Sequence, residues 1–277
     1  MTGRGGHRAK RSLGQNFLVD ANFQRKIVEA VGAGPEDEVL EVGPGKGALT
    51  RHLAGRVGRL VLVELDDALA AELADTYGGR DDVEVVHADV LRVALEDVVR
   101  RPDALRVVGN IPYNITTPIL FRLLERPRPL EIVLMVQEEV ADRIVAAPGT
   151  PAYGALAVGV QSVAEATRLF RVGRGAFRPV PRVESAVVRI RPVRPEPLTP
   201  GEEARLRQVV RACFQWRRKQ MGKILRDHPD LALGPERAGA VAAEAGVDPS
   251  DRPERLSPAV FLRLSRHLPA AHAPPKL

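Results

Sequence analysis

The tetrapeptide Asn110-Ile111-Pro112-Tyr113 brings together three side chains with a chemical reason to be neighbours. The exocyclic amine of adenine, N6, is a poor nucleophile because its lone pair is delocalised into the ring. The side-chain oxygen of Asn110, with a main-chain carbonyl nearby, can accept both N–H bonds of such an amine. That pulls the nitrogen toward sp3 and frees its lone pair for attack. Pro112 fixes the backbone and adds no N–H donor to compete. Tyr113 can stack on the base, which is worth about 1–3 kcal/mol. Asn and Pro are also ordinary turn residues, so position decides. The tetrapeptide follows a short apolar run, Leu105 to Val108, with a glycine-rich loop upstream. That is the switch point of an open α/β sheet, where ligands bind.

The upstream loop is Glu41-Val42-Gly43-Pro44-Gly45-Lys46-Gly47. Its glycines let backbone approach a ligand closely. No Gly-Lys-Ser/Thr ends it, so it is not a P-loop. Gly43, Gly45 and Ala48 satisfy the looser dinucleotide spacing, but two neighbours disfavour a phosphate. Pro44 removes an N–H donor, and Glu41 places an acid where a pyrophosphate would lie. An acid there suits a cation, such as the sulfonium and ammonium of S-adenosylmethionine; the alternative is a carboxylate at a turn or helix terminus. Glu64 lies 21 residues after Gly43 at the end of the next apolar run, where a carboxylate can accept both hydroxyls of a ribose. Asp89 follows the third run, placed to accept from the amino group of an adenine or to cap a turn.

A sulfonium is already an excellent leaving group, so no strong general base is required. Alignment and electrostatics suffice. A base inside structured RNA must leave its stack to reach such a pocket. Phe177, at the head of the stiff loop Phe177-Arg178-Pro179-Val180-Pro181, is expected to supply a second aromatic wall or to anchor the loop in the core.

The elements that must position these residues follow from apolar patterning. Asp20 to Val31 reads as a helix capped by Asp20. Apolar runs of strand length begin at Val39, Leu60, Val83, Leu105 and Leu130, separated by helical periodicity over 48–54, 68–77 and 117–124. Such alternation predicts a parallel sheet covered on both faces, an α/β Rossmann-like fold. Tyr153 to Gln161 and Ser185 to Ile190 read as further strands that pair antiparallel at its end. After the Pro-rich link 192–200, helices are predicted over 202–226, 236–245 and 257–267, forming a small C-terminal domain.

Charge and composition narrow the partners. The chain has 277 residues, 44% of them hydrophobic, enough for an ordinary core plus an appendage. The net charge is +6, yet Gly201 to Arg226 alone carries eight Arg or Lys against two Glu, and Met1 to Arg11 carries four basic residues and no acid. Two basic patches on an otherwise near-neutral or acidic body predict a polyanionic partner. The single cysteine, Cys213, excludes an intramolecular disulfide and a Cys-rich zinc site, so a cytoplasmic location and no metal are expected. Residues 1–11 have no apolar core for a signal peptide, and no apolar run approaches the ~20 residues that span a bilayer. With no long apolar helix face left over, the chain is expected to be a monomer.

Taken together these segments resemble the ribosomal RNA adenine N6,N6-dimethyltransferases, most closely the KsgA/RsmA small-subunit type. The resemblance runs from about Lys10 to Leu268. It rests on Leu13-Gly14-Gln15-Asn16-Phe17-Leu18, the Glu41–Gly47 loop, Glu64, Asp89, Asn110 to Tyr113, Gln137 to Ala141, Pro151 to Gly154 and Phe177 to Val188. It implies a class I methyltransferase sheet ending in antiparallel strands. It also implies an S-adenosylmethionine site completed by Gln15, Asn16 and Leu18, together with Glu41, Gly43, Gly45, Glu64, Asp89 and Asn110. The implied organisation is a basic tail over 1–11, expected to be disordered, a catalytic domain over 12–195 and a helical RNA-binding domain over 200–277. The implied reaction is dimethylation of N6 on two adjacent adenosines in the 3′-terminal hairpin loop of small-subunit (16S) rRNA, during assembly of the 30S subunit. Arg217, Arg218 and Lys219 match the family's basic triplet and are expected to contact RNA, with Trp216 beside them able to stack. Lys223 departs from the family's pattern, which has Asn there, and Gly222 is expected in mid-helix. An Erm-type enzyme methylating large-subunit (23S) rRNA shares this core and is the alternative. An NAD-dependent oxidoreductase would need a hydride-transfer His, Tyr-Lys pair or Cys that the sequence does not offer. A binding factor without activity would not need Asn110 to Tyr113.

Overall fold

A computed structural model describes residues 16–269. The expectations for the 1–11 tail and for Gln15 lie outside that range. The chain opens with a two-residue strand, β1 (Phe17–Leu18), and helix α1 (Ala21–Val31). The Asp20 carboxylate caps α1 by accepting from the amides of Asn22 and Phe23. There follow β2 (Glu38–Val42), a four-residue α2 (Thr50–Leu53), β3 (Arg59–Glu64), α3 (Asp67–Tyr77) and β4 (Val83–His87). Next are α4 (Leu95–Val98), β5 (Arg106–Asn110), α5 (Thr116–Leu123), β6 (Glu131–Gln137) and α6 (Glu138–Ile144). After α7 (Ala155–Gln161), β7 (Ala164–Val172), β8 (Phe177–Arg178) and β9 (Ser185–Pro192), the chain is helical: α8 (Pro200–Gln215), α9 (Met221–Asp227), α10 (Gly234–Ala245) and α11 (Pro258–His267).

Seven strands form one sheet in the order β4-β3-β2-β5-β6-β9-β7. The first five are mutually parallel, and β9 runs antiparallel to β6, with Gln137 opposite Ser185. This is the α/β fold expected. Val39, Leu40, Leu60, Val61, Leu62, Val107, Val108 and residues 132–136 are all buried, which explains why these strands read as continuous apolar runs rather than alternating ones. At the edge of the sheet where β5 and β6 begin and antiparallel β9 ends, the buried Glu131 lies among the guanidinium groups of Arg106, Arg189 and Arg191 (3.5, 3.3 and 2.5 Å). That end is the one remote from the glycine loop.

By compactness the chain divides into one unit up to Ala141 plus Thr167–Pro192, and a second of Asp142–Ala166 plus the chain from Val193 onward. Against the expected linear division at 195–200, the chain therefore enters the second unit twice. Its core joins Tyr153, Ala157 and Val158 from the first visit to Val209, Cys213, Leu225, Val241 and Phe261 from the second. Tyr153 is fully buried, and its hydroxyl donates to the carbonyl of Leu256 at 2.7 Å.

Two expected elements are corrected. Residues 153–161, read as a strand, contain helix α7, and the strand is β7. The run Ala155-Leu156-Ala157-Val158 is apolar on every side, so periodicity could not separate helix from strand. The helix read over 202–226 is two helices. It breaks at Trp216–Gln220 because α9 finds tertiary partners for its first amides: Met221 N–H donates to Asp251 and Gly222 N–H to Pro249. Gly222 thus opens a helix instead of interrupting one.

Candidate active site

One cleft at the C-terminal ends of β2, β3 and β5 is lined by Asn16, Leu18, Glu41, Gly43, Gly45, Glu64, Asp89, Asn110, Pro112 and Tyr113. Parallel strands bring this set together because each ends at the same edge of the sheet and hands its last residues to a loop.

The glycine loop is organised around a carboxylate. Glu64 Oε2 accepts the Gly45 N–H at 3.0 Å, and Oε1 accepts the Asp66 N–H at 2.9 Å. The Gly43 N–H is spent on the Val63 carbonyl and the Gly47 N–H on Pro44, which itself has no N–H. The amides that would cradle a pyrophosphate are therefore turned inward, so the loop suits a nucleoside rather than a dinucleotide. Gly45 sits at φ +59°, and a Cβ there would stand 3.2 Å from the Phe17 ring. The Lys46 ammonium lies 5.0 Å from the centroid of the same ring. Phe17 thus lays β1 across the loop. Its role was invisible in the sequence because the contact depends on the Gly45 conformation.

Glu41 is almost completely buried, and Oε2 accepts the Thr50 hydroxyl at 2.7 Å. Burial pushes its pKa up to about 8; the charge of Glu64 adds to the rise and the Thr50 hydrogen bond opposes it. A neutral carboxyl at the wall of a cleft is a site a cation can ionise. No sequence spacing announces Thr50 as its partner. Asp89 both lines the cleft and closes a turn, its Oδ1 accepting from the Leu91 amide at 3.0 Å.

Asn110 ends β5, and its Nδ2 donates to the main-chain carbonyl of Asn16 at 3.0 Å. With the amide nitrogen engaged there, the oxygen is the end available as an acceptor. Pro112 places its carbonyl under the Ile115 amide and the Thr116 hydroxyl, which starts α5. The Tyr113 hydroxyl shares a 2.6 Å hydrogen bond with the Ser185 hydroxyl. Burial raises the phenol pKa, the Ser185 bond opposes the rise, and Glu184 adds to it.

Phe177 is corrected. Its side chain is fully buried in the core cluster with Leu18, Val172 and Val187, so it has no face to offer a base. Of the two roles the sequence left open, anchoring is the one observed: Leu18 and Phe177 face each other in the β1–β8 ladder.

The basic triplet lies in the second unit, on the turn between α8 and α9. Arg217 is partly buried and its Nε donates to Glu254 at 2.9 Å, whereas Arg218 and Lys219 are exposed. Trp216 is half-buried and meets the His228 ring edge-on at 4.8 Å, so it is a packing residue here, not an open stacking platform. Among the described residues no helix is long and apolar enough to cross a membrane, and no group of three or more His, Cys, Asp or Glu could hold a metal ion.

The strand order, the inward-facing glycine loop and the carboxylate at the end of β3 define a class I methyltransferase. The chain belongs to the ribosomal RNA adenine dimethylase family, whose model matches residues 6–268. It is 42% identical to the ribosomal RNA small subunit methyltransferase A of Geobacter metallireducens, over 96% of this chain and 97% of that protein. The protein of the same name from Enterococcus faecalis is 43% identical over 94% of this chain and 90% of its own. Among solved structures, a dimethyladenosine transferase from Plasmodium falciparum superposes with a TM-score of 0.74 at 25% identity, covering 90% of this chain and 95% of its own. The 23S rRNA methyltransferase ErmE superposes at 0.68 with 32% identity, covering 91% and 99%.

Proposed function

We propose that this protein dimethylates N6 of two adjacent adenosines in the 3′-terminal hairpin loop of small-subunit rRNA, within an assembling subunit. The observation that carries this reading is the Asn110 amide, held in the cleft with its nitrogen on Asn16 and its oxygen left to accept. Bound S-adenosylmethionine supplies a methyl group on a positively charged sulfur. The residues present fit that cofactor: Glu64 is fixed by two amides to receive ribose hydroxyls, Asp89 faces the same cleft, and buried Glu41 answers a cation.

The protein's own part is positioning and polarisation. In the first transfer Asn110 Oδ1 and a neighbouring main-chain carbonyl accept the two N6–H bonds, which localises the amine lone pair; the ammonium formed gives its proton to water, and the monomethylated amine then presents one N–H for the second transfer. Tyr113 stacks on the extruded base. Leu18, Ile111 and Ile119 supply apolar wall, so the charges that develop are met by few fixed dipoles in little water. Arg218 and Lys219 serve RNA phosphates.

Mass spectrometry of both ribosomal RNAs from a strain lacking the gene tests the proposal. Dimethyladenosine should vanish from small-subunit rRNA alone. Loss from large-subunit rRNA instead would favour the Erm-type activity suggested by the likeness to ErmE.

A further inference from the structure

The segment from Phe177 to Ser185 has lost the base-stacking role that its sequence offered, yet one end of it bonds Tyr113 and the other pairs with the strand that follows Asn16, the partner of Asn110. At one end, β8 pairs with β1, Phe17 opposite Arg178 and Leu18 opposite Phe177. That ladder leads directly to Asn16, whose carbonyl receives the Asn110 amide. At the other end, Ser185 opens β9 opposite Gln137, is fully buried, and shares its hydroxyl with Tyr113. A tyrosine ring has two soft torsions, and stacking requires one orientation of its face. A hydrogen bond of 2.6 Å from a buried strand residue removes that freedom before a base arrives.

We infer that Ser185 is a positioning residue for methyl transfer, acting through the Tyr113 hydroxyl to fix the ring against which the target base stacks. This rests on the proposed function for its consequence but not for its geometry. Ser185 reaches no cofactor-side group in this scheme: Glu41, Glu64 and Asp89 are held by Thr50, by main-chain amides and by the Leu91 turn. Its loss should therefore separate catalysis from cofactor affinity. Pre-organisation of this kind matters because small displacements of a reacting base are costly in rate.

The test has two arms. In protein labelled with 13C-tyrosine, the chain's three tyrosines are distinguished by losing the Tyr113 ring signal in Tyr113→Phe. Ser185→Ala is expected to shift that signal and leave those of Tyr77 and Tyr153 in place; an unmoved Tyr113 signal overturns the tether, whatever the activity. In the kinetic arm the substrate is small-subunit particles from the deletion strain. Ser185→Ala and Tyr113→Phe are each expected to lower kcat about tenfold. The KM for S-adenosylmethionine and its dissociation constant should stay within about twofold. In the Tyr113→Phe background the further Ser185→Ala change should cost less than about twofold, since the partner hydroxyl is already gone. A tenfold loss repeated in that background, or full activity in Tyr113→Phe, overturns the inference. A wild-type enzyme that methylates no particle would sink the proposed function instead, and the tyrosine signal would still report the tether.

Discussion

At the scale of single residues, the cleft combines groups whose types were legible and partners that were not. Asn110, Glu64 and Glu41 stood out by position: each is a polar residue that ends or follows an apolar strand-length run beside a glycine-rich loop, where ligands bind. Their partners, Asn16, Thr50 and Ser185, lie 94, 9 and 72 residues from the groups they serve (Asn110, Glu41 and Tyr113), and no local pattern links them. Phe177 shows the reverse error: an aromatic at a loop head is equally an anchor, and only burial decides. Asn110→Ala is expected to abolish methyl transfer while cofactor affinity changes less than about tenfold, checked by calorimetric titration beside the activity assay. Glu41 makes a second prediction. Its folded pKa of about 8 lies above the ordinary value of 4.5. The folded state therefore holds the proton more tightly, and the associated stability is full below pH 4.5 and is lost as pH rises through 8. Glu41→Gln, neutral throughout, should gain on wild type across that window by on the order of a few kcal/mol in cofactor-free protein. Melting curves for the two proteins that stay parallel from pH 5 to 8 would contradict it.

At the scale of elements, the central parallel strands were readable because both faces are covered, which leaves them almost wholly apolar; the edge strand β4, with Glu84 and His87 exposed, carries the weaker signal. The helices were harder. Residues 153–161 misled because small apolar residues carry no period, and 202–226 misled because a basic, amphipathic stretch continues through a break set by distant carbonyls. The two-residue β1–β8 ladder is too short to leave any pattern, although it fixes the edge of the cleft. The contact between β2 and β5 is tighter than any sequence signal conveys. Gly109 lies opposite Val42, and a Cβ there would come within 2.7 Å of the Val42 carbonyl oxygen and 2.9 Å of the Ile111 side chain. Gly109→Ala is expected to destabilise the protein by about 1–3 kcal/mol, read as a lower denaturation midpoint. Because Asn110 is the next residue, activity should fall further than stability alone explains.

At the scale of the whole molecule, charge clustering was visible from composition, but which charges are available was not. Arg217 is committed to Glu254, a partly exposed pair worth no more than about 1 kcal/mol. Changing Arg218 and Lys219 together to Ala should lower the salt slope of RNA binding by roughly 1–2, whereas Arg217→Ala should leave it nearly unchanged. Filter binding across a salt series distinguishes the two. The division into two units could not be read along the chain either, because Asp142–Ala166 belongs with helices that come later in the sequence. That threading has a practical corollary for anyone who would cut the molecule apart. A single scission near residue 195 frees no self-sufficient half: it leaves Tyr153, Ala157 and Val158 attached to the sheet-bearing piece, stripped of Val209, Phe261 and the Leu256 carbonyl that shelter them. Such a fragment would bare an oily patch and aggregate, so the catalytic half is bound to its companion by topology as well as by covalent linkage.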